Sequence, residues 1–331
     1  MSKRTVTAWV TICSSALIVA TCLPAFAGTA TVDFPQKGKA IVIIVPNAPG
    51  GINDMTARLV APVLEKELGA PVQVVNKPGG ATLVGLTEVA LAKPDGHTIA
   101  VLGLPGNLTS YLDPDRKAVP QVRELQPVAA QNLDVGAVLV NTQSPHRTVK
   151  ELVDASKASP GGLKAATDGL MGSDHMATIY FTKKTGATFK LVHFDGGAPA
   201  TTALAGGHVD LRIGKVGSAY AMIKSGKVRA IGVMDKQRSK YSPDTATLEE
   251  QGYPAYTYYN LTGLAVPKGT PRAIVDILSN VVKKSVDTDE AKKRLDGVGL
   301  IGHFMGPDEF AAHWKDAEKM MQSLIIEAKK Q

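Results

Sequence analysis

The sequence predicts an α/β protein with mainly parallel sheets and two domains. Along the chain, short apolar runs alternate with segments of helical periodicity, which is the pattern of repeated βα units. The 331 residues exceed the roughly 250–300 at which a single hydrophobic core stops growing, and this predicts two domains. Charged residues make up 20% of the chain and hydrophobic residues 44%, a balance that excludes disordered and fibrous classes.

The first 27 residues have the three parts of a secretory signal. A basic start is followed by an almost uncharged apolar stretch, residues 8–23, and then by Ala-Phe-Ala at residues 25–27. We expect cleavage after Ala27. The alternatives are an uncleaved N-terminal anchor and a lipoprotein signal that ends at Cys22. Since no later run is apolar over a membrane-spanning length, the sequence predicts a protein of the bacterial periplasm.

Charge and cysteine usage exclude several kinds of site. The chain has 37 Lys and Arg residues against 30 Asp and Glu residues, but the basic residues are scattered, which disfavours nucleic acid as a partner. Both cysteines, Cys13 and Cys22, lie in the predicted signal, so the mature chain would hold no disulfide and no thiolate metal site. The histidines form no pair four residues apart and no H-E-x-x-H motif. We therefore expect no metal and no other cofactor.

The first βα unit lies in residues 40–69. Residues 40–45 are apolar on both faces, as in a strand buried between two helical layers. After a loop at residues 46–53, apolar residues recur at helical spacing, and Gly69 ends the predicted helix. The pattern then repeats as strand, Gly-rich loop, helix, turn and strand at residues 72–75, 76–81, 83–92, 94–96 and 98–102.

Later elements are predicted from their boundaries. Thr148 and Glu151 form a capping box at the start of a helix, and Thr270 and Pro271 suit the N-cap and first position of another. Short strands are predicted at residues 208–213 and 228–233. The last helix has an apolar stripe and a solvated basic face, formed respectively by Phe310, Trp314, Ala317, Met321 and Leu324 and by Lys315, Lys319, Lys329 and Lys330.

Two Gly-rich loops carry the strongest functional signal. A loop between a buried strand and a helix lies at the carboxyl end of the sheet, where open α/β folds bind ligands. Gly50 and Gly51 let backbone N–H groups approach an anion, and the start of the following helix adds attraction. Residues 76–82 repeat the arrangement. Because the chain has neither G-x-G-x-x-G nor a Walker A motif, a carboxylate is favoured over a nucleotide.

Residues 45–58 resemble the first-loop motif of the substrate-binding proteins of tripartite tricarboxylate transporters, also called Bug receptors. Segments similar to the family follow in the family's order over nearly the whole mature chain, at residues 76–79, 94–98, 159–161, 172–175, 196–200, 207–210, 226–230 and 267–271. The resemblance implies a bilobal periplasmic binding protein of type II, with two α/β domains and a ligand cleft between them. Domain 1 would comprise residues 28–131 and 255–331, and domain 2 residues 132–254.

The resemblance also implies a function and a set of contacts. A receptor of this family, here expected to be a monomer, binds a small organic acid and passes it to membrane transporter subunits or presents it to a sensor domain. The ligand would be a di- or tricarboxylate, an aromatic acid or an acidic amino acid. Domain 1 would contact one carboxylate through Pro49, Gly50, Gly51, Asp54, Gly79, Gly80, Ala81 and Thr82. Domain 2 would close on the other end through Thr167, Gly169, Ser173, Phe194, Asp195, Gly196 and Arg212.

Several of these residues have a second interpretation. Asp54 could complement the helix dipole instead of touching the ligand, and Arg58, one turn along, is expected to pair with it. Asp195 stands where the family often has lysine, and it could receive a ligand ammonium or simply be solvated. Arg212 and Lys215, if they face the cleft, would favour a second or third carboxylate.

An enzyme is the alternative from another class. Its least implausible polar groups are Ser173, His175 and either Asp168 or Asp195. The sequence has no G-x-S-x-G elbow, and no set of nucleophile, base and orienting residue can be placed from it. We therefore expect a non-catalytic receptor, with His175 in a structural role.

Overall fold

The computed structural model describes residues 32–254 and 257–330, and the strands among them form a single ten-stranded sheet. Strands β1 to β10 are Ile41–Val45, Val72–Asn76, Thr98–Leu104, Gln126–Asn141, Lys164–Thr167, Lys190–His193, Leu211–Lys215, Val228–Val233, Tyr259–Val266 and Ile301–Met305. Helices α1 to α11 are Ile52–Leu68, Leu83–Ala90, Thr109–Leu112, Pro120–Arg123, Val149–Ala158, Ser173–Thr185, Gly197–Ala205, Tyr220–Lys224, Arg272–Asp287, Asp289–Gly297 and Pro307–Ala328.

The long strand β4 connects two lobes. The sheet order is β2-β1-β3-β9-β4-β7-β5-β6, and β8 and β10 also pair with β4. We call first lobe the part built on β1, β2, β3, β9 and β10, which pair with one another or with residues 126–135 of β4. The second lobe is built on β5 to β8, of which β7 and β8 pair with residues 136–141. In each lobe the strands that open a βα unit run parallel.

The predicted domain boundaries can be compared with the position of the shared strand β4. The limit at residue 131 falls inside this strand, which both lobes share. The limit at residue 254 borders residues 255–256, and the predicted signal at residues 1–27 lies outside the described residues altogether. All of these limits stay predictions. None of the helices in residues 32–254 and 257–330 is long and apolar enough to span a membrane.

The hydrophobic core confirms the apolar patterns. Ile41, Ile43 and Ile44 of β1 are almost fully buried, as expected of a strand covered on both faces. The last helix, α11, buries the predicted stripe, and Phe310 and Trp314 share one core with residues of α6 from the second lobe. At the end of α11, however, Lys329 bridges Asp113 and Asp115 at 2.6 and 2.8 Å and so ties the helix to the first lobe.

Most of the predicted boundaries agree with the structure. Gly69 ends α1 with a left-handed φ of 65°, the capping box of Thr148 and Glu151 starts α5, and β8 spans the predicted residues 228–233. The strand predicted at residues 208–213 is wrong in its first part. A turn follows Gly207, whose φ is 72°, and β7 begins only at Leu211.

The start of α9 also differs from the prediction by one residue. Pro271 has extended backbone angles and is itself the N-cap, so the helix begins at Arg272. The hydroxyl of Thr270 donates to the carbonyl of Pro267 at 2.8 Å and closes the preceding turn. Thr270 thus precedes the N-cap and belongs to this turn, and its side chain does not cap the helix.

Candidate functional site

A cavity of about 590 Å³ lies between the two lobes. Its wall consists mainly of the loops that follow β1, β2 and β3 in the first lobe and β5, β6 and β7 in the second. These loops leave the carboxyl ends of parallel strands, where α/β folds place their ligands. The two Gly-rich loops singled out in the sequence therefore share one cavity.

The first loop presents backbone to the cavity. Gly50 has a φ of 82°, and Gly51 is the N-cap of α1 with no side chain capping the helix. The carboxylate of Asp54 accepts hydrogen bonds from the Gly50 N–H, from Arg58 and from Asn76, each at 3.0 Å. Burial raises the pKa of Asp54, but these hydrogen bonds and the charge of Arg58 outweigh burial and leave it below its usual value. The side chain thus holds the loop from behind.

The second loop has a glycine-like backbone even where it lacks glycine. From Gly79 to Thr82 all four residues have positive φ, with 48° at Ala81 and 82° at Thr82. A β-branched residue in this region is a strained exception, and such strain is common at functional sites. Thr82 is 7% exposed, and its hydroxyl oxygen is buried without a hydrogen-bond partner in the part of the chain described.

Asparagines that the sequence analysis did not single out complete the first-lobe wall. The amide nitrogen of Asn53 donates to Asn47 at 2.6 Å and to Asn107 at 3.1 Å, and Asn107 in turn accepts from the Gly103 N–H. Asn260, from β9, also lines the cavity. Asn107 and Asn260 are far apart in sequence, so only the fold reveals the group. Among the described residues that line this wall, none is charged.

The second-lobe wall is backed by a buried ionic cluster. Asp174, fully buried in the first turn of α6, accepts from Arg212 at 2.7 Å through both Nε and Nη2. The ammonium of Lys215 donates to Asp174 at 2.5 Å and to the hydroxyl of Ser173 at 2.7 Å. Burial raises the pKa of Asp174, but the two cations outweigh it and hold the pKa below its usual value. Arg212 also donates to Thr201, so its fork is engaged within the protein.

Two further carboxylates line the same wall. Asp168 is partly exposed, and one of its oxygens accepts from the Asp174 N–H at 2.8 Å. Burial and the charge of Asp174 raise the pKa of Asp168 above its usual value. Asp195 is exposed to the cavity, and no hydrogen bond or ion pair to its side chain occurs among residues 32–254 and 257–330.

Thr167 and His175 are buried behind the second-lobe wall of the cavity. Thr167 is fully buried, and its hydroxyl bonds the Nδ1 atom of His193 at 2.6 Å. His175 is 2% exposed and accepts from the Met171 N–H at 2.9 Å, so its ring helps to hold the loop before α6. Burial and the nearby His193 lower the pKa of His175 to about 4. No group of three or more His, Cys, Asp or Glu side chains in the described residues is arranged to hold a metal ion.

The cavity gathers most of the residues proposed from the sequence. Those that line it are Pro49, Gly50, Gly51, Gly79, Gly80, Ala81, Thr82, Gly169, Ser173, Phe194, Asp195, Gly196 and Arg212. Asp54 and Thr167 do not line it, because each is turned into a hydrogen-bond network behind the wall. Asp168, named in the sequence analysis only for an enzyme, and Lys215, named only as a cation that could face the cleft, also line it.

Comparison with known proteins identifies the family. Residues 56–329 match the family described as tripartite tricarboxylate transporter family receptor. The chain belongs to this family. The receptor is 30% identical over 300 residues to a protein of Pseudomonas sp. (strain P51), named UPF0065 protein in tcbD-tcbE intergenic region, with coverage of 89% of this chain and 87% of that protein.

Solved structures confirm the bilobal periplasmic binding protein fold of this receptor. MatC from Rhodopseudomonas palustris, solved with bound malate, has 26% identity and a TM-score of 0.79 over 87% of this chain and 99% of MatC. The periplasmic binding protein BugD has 25% identity and a TM-score of 0.76 over 88% of this chain and 98% of BugD. The expected family and fold class are thus both confirmed.

Proposed function

We propose that this receptor works in the periplasm, where it captures a small organic carboxylate and passes it to the membrane subunits of a tripartite tricarboxylate-type transporter. The observation that carries the proposal is the first-lobe wall, where two loops with glycine-like backbone and the uncapped start of α1 face the cavity. The bound malate of MatC and the periplasmic location of BugD support it.

The first-lobe wall has the chemistry of an anion site. The first N–H groups of α1 have no side-chain acceptor among the described residues, and the positive end of the helix dipole coincides with them. A carboxylate bound there would accept hydrogen bonds from backbone groups that glycine leaves accessible. Because the wall carries no charged side chain among its described residues, binding would not require a salt bridge.

The polar groups of the second lobe support binding rather than catalysis. The hydroxyl of Ser173 accepts a hydrogen bond from Lys215, whose ammonium is held by Asp174. His175 is occupied by the Met171 N–H. A nucleophile needs a neighbouring base with a free lone pair for its proton. An ammonium paired with a carboxylate has no such lone pair, and the Nδ1 atom of His175 is used by a backbone N–H.

We propose that the two lobes close around the ligand when it binds. The ligand would touch both walls and favour the closed state of a pre-existing equilibrium. The domains are proposed to be residues 28–131 with 255–331, and residues 132–254. Since one chain supplies both walls, a monomer suffices for binding.

A thermal-shift screen tests the proposal. Purified receptor, unfolded and refolded to remove carried-over ligand, is heated with mono-, di- and tricarboxylates, aromatic acids and amino acids. A ligand that binds only the folded state must raise the melting temperature with dose. Stabilisation by an acid, recovered unchanged after incubation, supports the receptor, whereas turnover of the acid would overturn it. Loss of uptake on deletion of the gene would favour transport over signalling.

Gly51 offers a sharp variant for the same screen. We expect Gly51→Leu to abolish the shift while the fold survives, because the backbone is extended and an added Cβ meets only the Ala48 carbonyl at 3.8 Å. Gly306→Leu is the matched control, since Gly306 is also an uncapped helix N-cap with extended angles and open space, outside the cavity. An unchanged affinity in Gly51→Leu would remove the first loop from the site.

A further inference from the structure

The second-lobe end of the cavity has an unusual balance of charge. Its two cations, Arg212 and Lys215, are 1% and 5% exposed and both pair with Asp174. Asp174 offsets one of these two positive charges, and the two carboxylates of Asp168 and Asp195 bring the net charge of the five side chains to −1. Asp168 and Asp195 line the same end, and neither is paired with a cation in the described residues.

This balance disfavours a second carboxylate on the ligand. A carboxylate at this end would have to compete with Asp174 for the donors of Arg212 and Lys215. It would also approach the carboxylates of Asp168 and Asp195, and like charges close together repel. An ammonium group at the same place would instead meet two carboxylates with free acceptor positions.

We propose that the ligand of this receptor is an amino carboxylate, whose carboxylate lies against the first-lobe loops and whose ammonium group lies between Asp168 and Asp195. The inference rests on the proposed function, because it assumes that the first lobe holds a carboxylate. The two walls then divide the work by charge: uncharged amides and helix starts face the anionic end, and unpaired carboxylates face the cationic end. Asp168 is held in place by the Asp174 N–H.

A set of matched acids tests the charge of the second end. Calorimetric titration compares 5-aminopentanoate, pentanoate and glutarate, which share a five-carbon chain and differ in one terminal group, together with the α-amino acid norvaline and the four- and six-carbon homologues. We expect the best amino acid to bind at least about tenfold more tightly than the dicarboxylate of equal length. Binding of the dicarboxylate as tightly as the amino acid would overturn the inference but not the proposed function. Failure of every acid to bind would overturn both.

Two substitutions locate the effect. Asp195→Asn and Asp168→Asn each remove a charge, and in the second variant the amide oxygen of the new side chain can still accept the Asp174 N–H. We expect each variant to bind the amino acid about tenfold more weakly and to bind the plain monocarboxylate with unchanged affinity. Asp244→Asn, at an exposed position outside the cavity, is the control. If both cavity variants behave like this control, the ammonium does not lie between these carboxylates.

Discussion

At the scale of single residues, Asp174 organises the second-lobe wall. It is the common acceptor for Arg212 and Lys215, and all three side chains are nearly inaccessible to solvent. A buried ion pair adds little to stability when compared with apolar residues, but removal of one partner leaves a buried charge without compensation. The carboxylate therefore contributes mainly by pairing with two cations that would otherwise be buried without an anionic partner.

We expect Asp174→Asn to lower the free energy of unfolding by about 3–5 kcal/mol. Asp154→Asn is the control, because Asp154 pairs with Lys150 on the surface of α5 with more than half of its side chain exposed. Exposed pairs contribute about 0–1 kcal/mol, so the control should change little. Urea denaturation measures both variants. A loss below about 1 kcal/mol in Asp174→Asn would show that the cations find other partners.

Residue types in the loops and the local pair of Asp54 with Arg58 were predictable from the sequence, but the distant partners of charged residues were not. A short sequence pattern, a glycine pair soon after a strand, predicts a turn without reference to distant residues. This pattern holds for Gly50, Gly51, Gly79 and Gly80. Arg212 acquires its role from Asp174, which lies 38 residues earlier in the chain. No spacing rule connects these two positions, so the sequence suggested a ligand carboxylate where the protein supplies its own.

At the scale of elements, the start of α2 is strained. Thr82 is the residue before the helix, its φ is 82°, and its hydroxyl is buried without a partner among the described residues. Left-handed angles cost a β-branched residue about 1–3 kcal/mol, and a buried unpaired hydroxyl costs about 1–3 kcal/mol more. Glycine avoids both costs, although it loses more backbone entropy on folding.

We expect Thr82→Gly to raise the free energy of unfolding by about 1 kcal/mol, because relief of strain exceeds the entropy that glycine loses. Thr87→Gly makes the same chemical change inside α2, where the backbone is helical, and should lower it by about 0.5 kcal/mol. Opposite signs in one urea-denaturation series support the strain. A loss of stability in both variants would contradict it.

The positions of helices and strands could be predicted from the spacing of apolar residues where turn or cap residues marked both ends of the element. The buried run of β1 and the stripe of α11 needed no tertiary information. Burial on both faces of a strand gives a continuous apolar run, and burial on one face of a helix imposes a helical period on the sequence. The start of β7 was missed because His208 and Val209 suit a strand by type. In the fold they belong to a turn, in which the His208 N–H donates to the Ala203 carbonyl.

At the scale of the whole molecule, Arg116 connects the two walls of the cavity. Its guanidinium donates to the carbonyl of Gly80 in the first lobe at 3.2 Å and to that of Leu170 in the second lobe at 3.1 Å. Asp113 lies 3.5 Å from the Nε atom and helps to hold the side chain. Both hydrogen bonds can exist together only while the two loops are close, so Arg116 stabilises the closed arrangement.

We expect Arg116→Ala to weaken ligand binding by about tenfold, because the loss of two charge-assisted hydrogen bonds reduces the population of the closed state. Arg116→Lys should be weakened nearly as much, since a single ammonium cannot match the fork of a guanidinium that reaches both carbonyls. The control is Arg238→Ala, which removes an exposed pair with Glu250. Calorimetry with the acid found in the screen measures affinity, and small-angle X-ray scattering should show a larger radius of gyration for the two Arg116 variants. If the affinity and the radius of gyration of the Arg116 variants both match those of the control, Arg116 does not stabilise the closed arrangement. Ligand contacts alone would then hold the two lobes together.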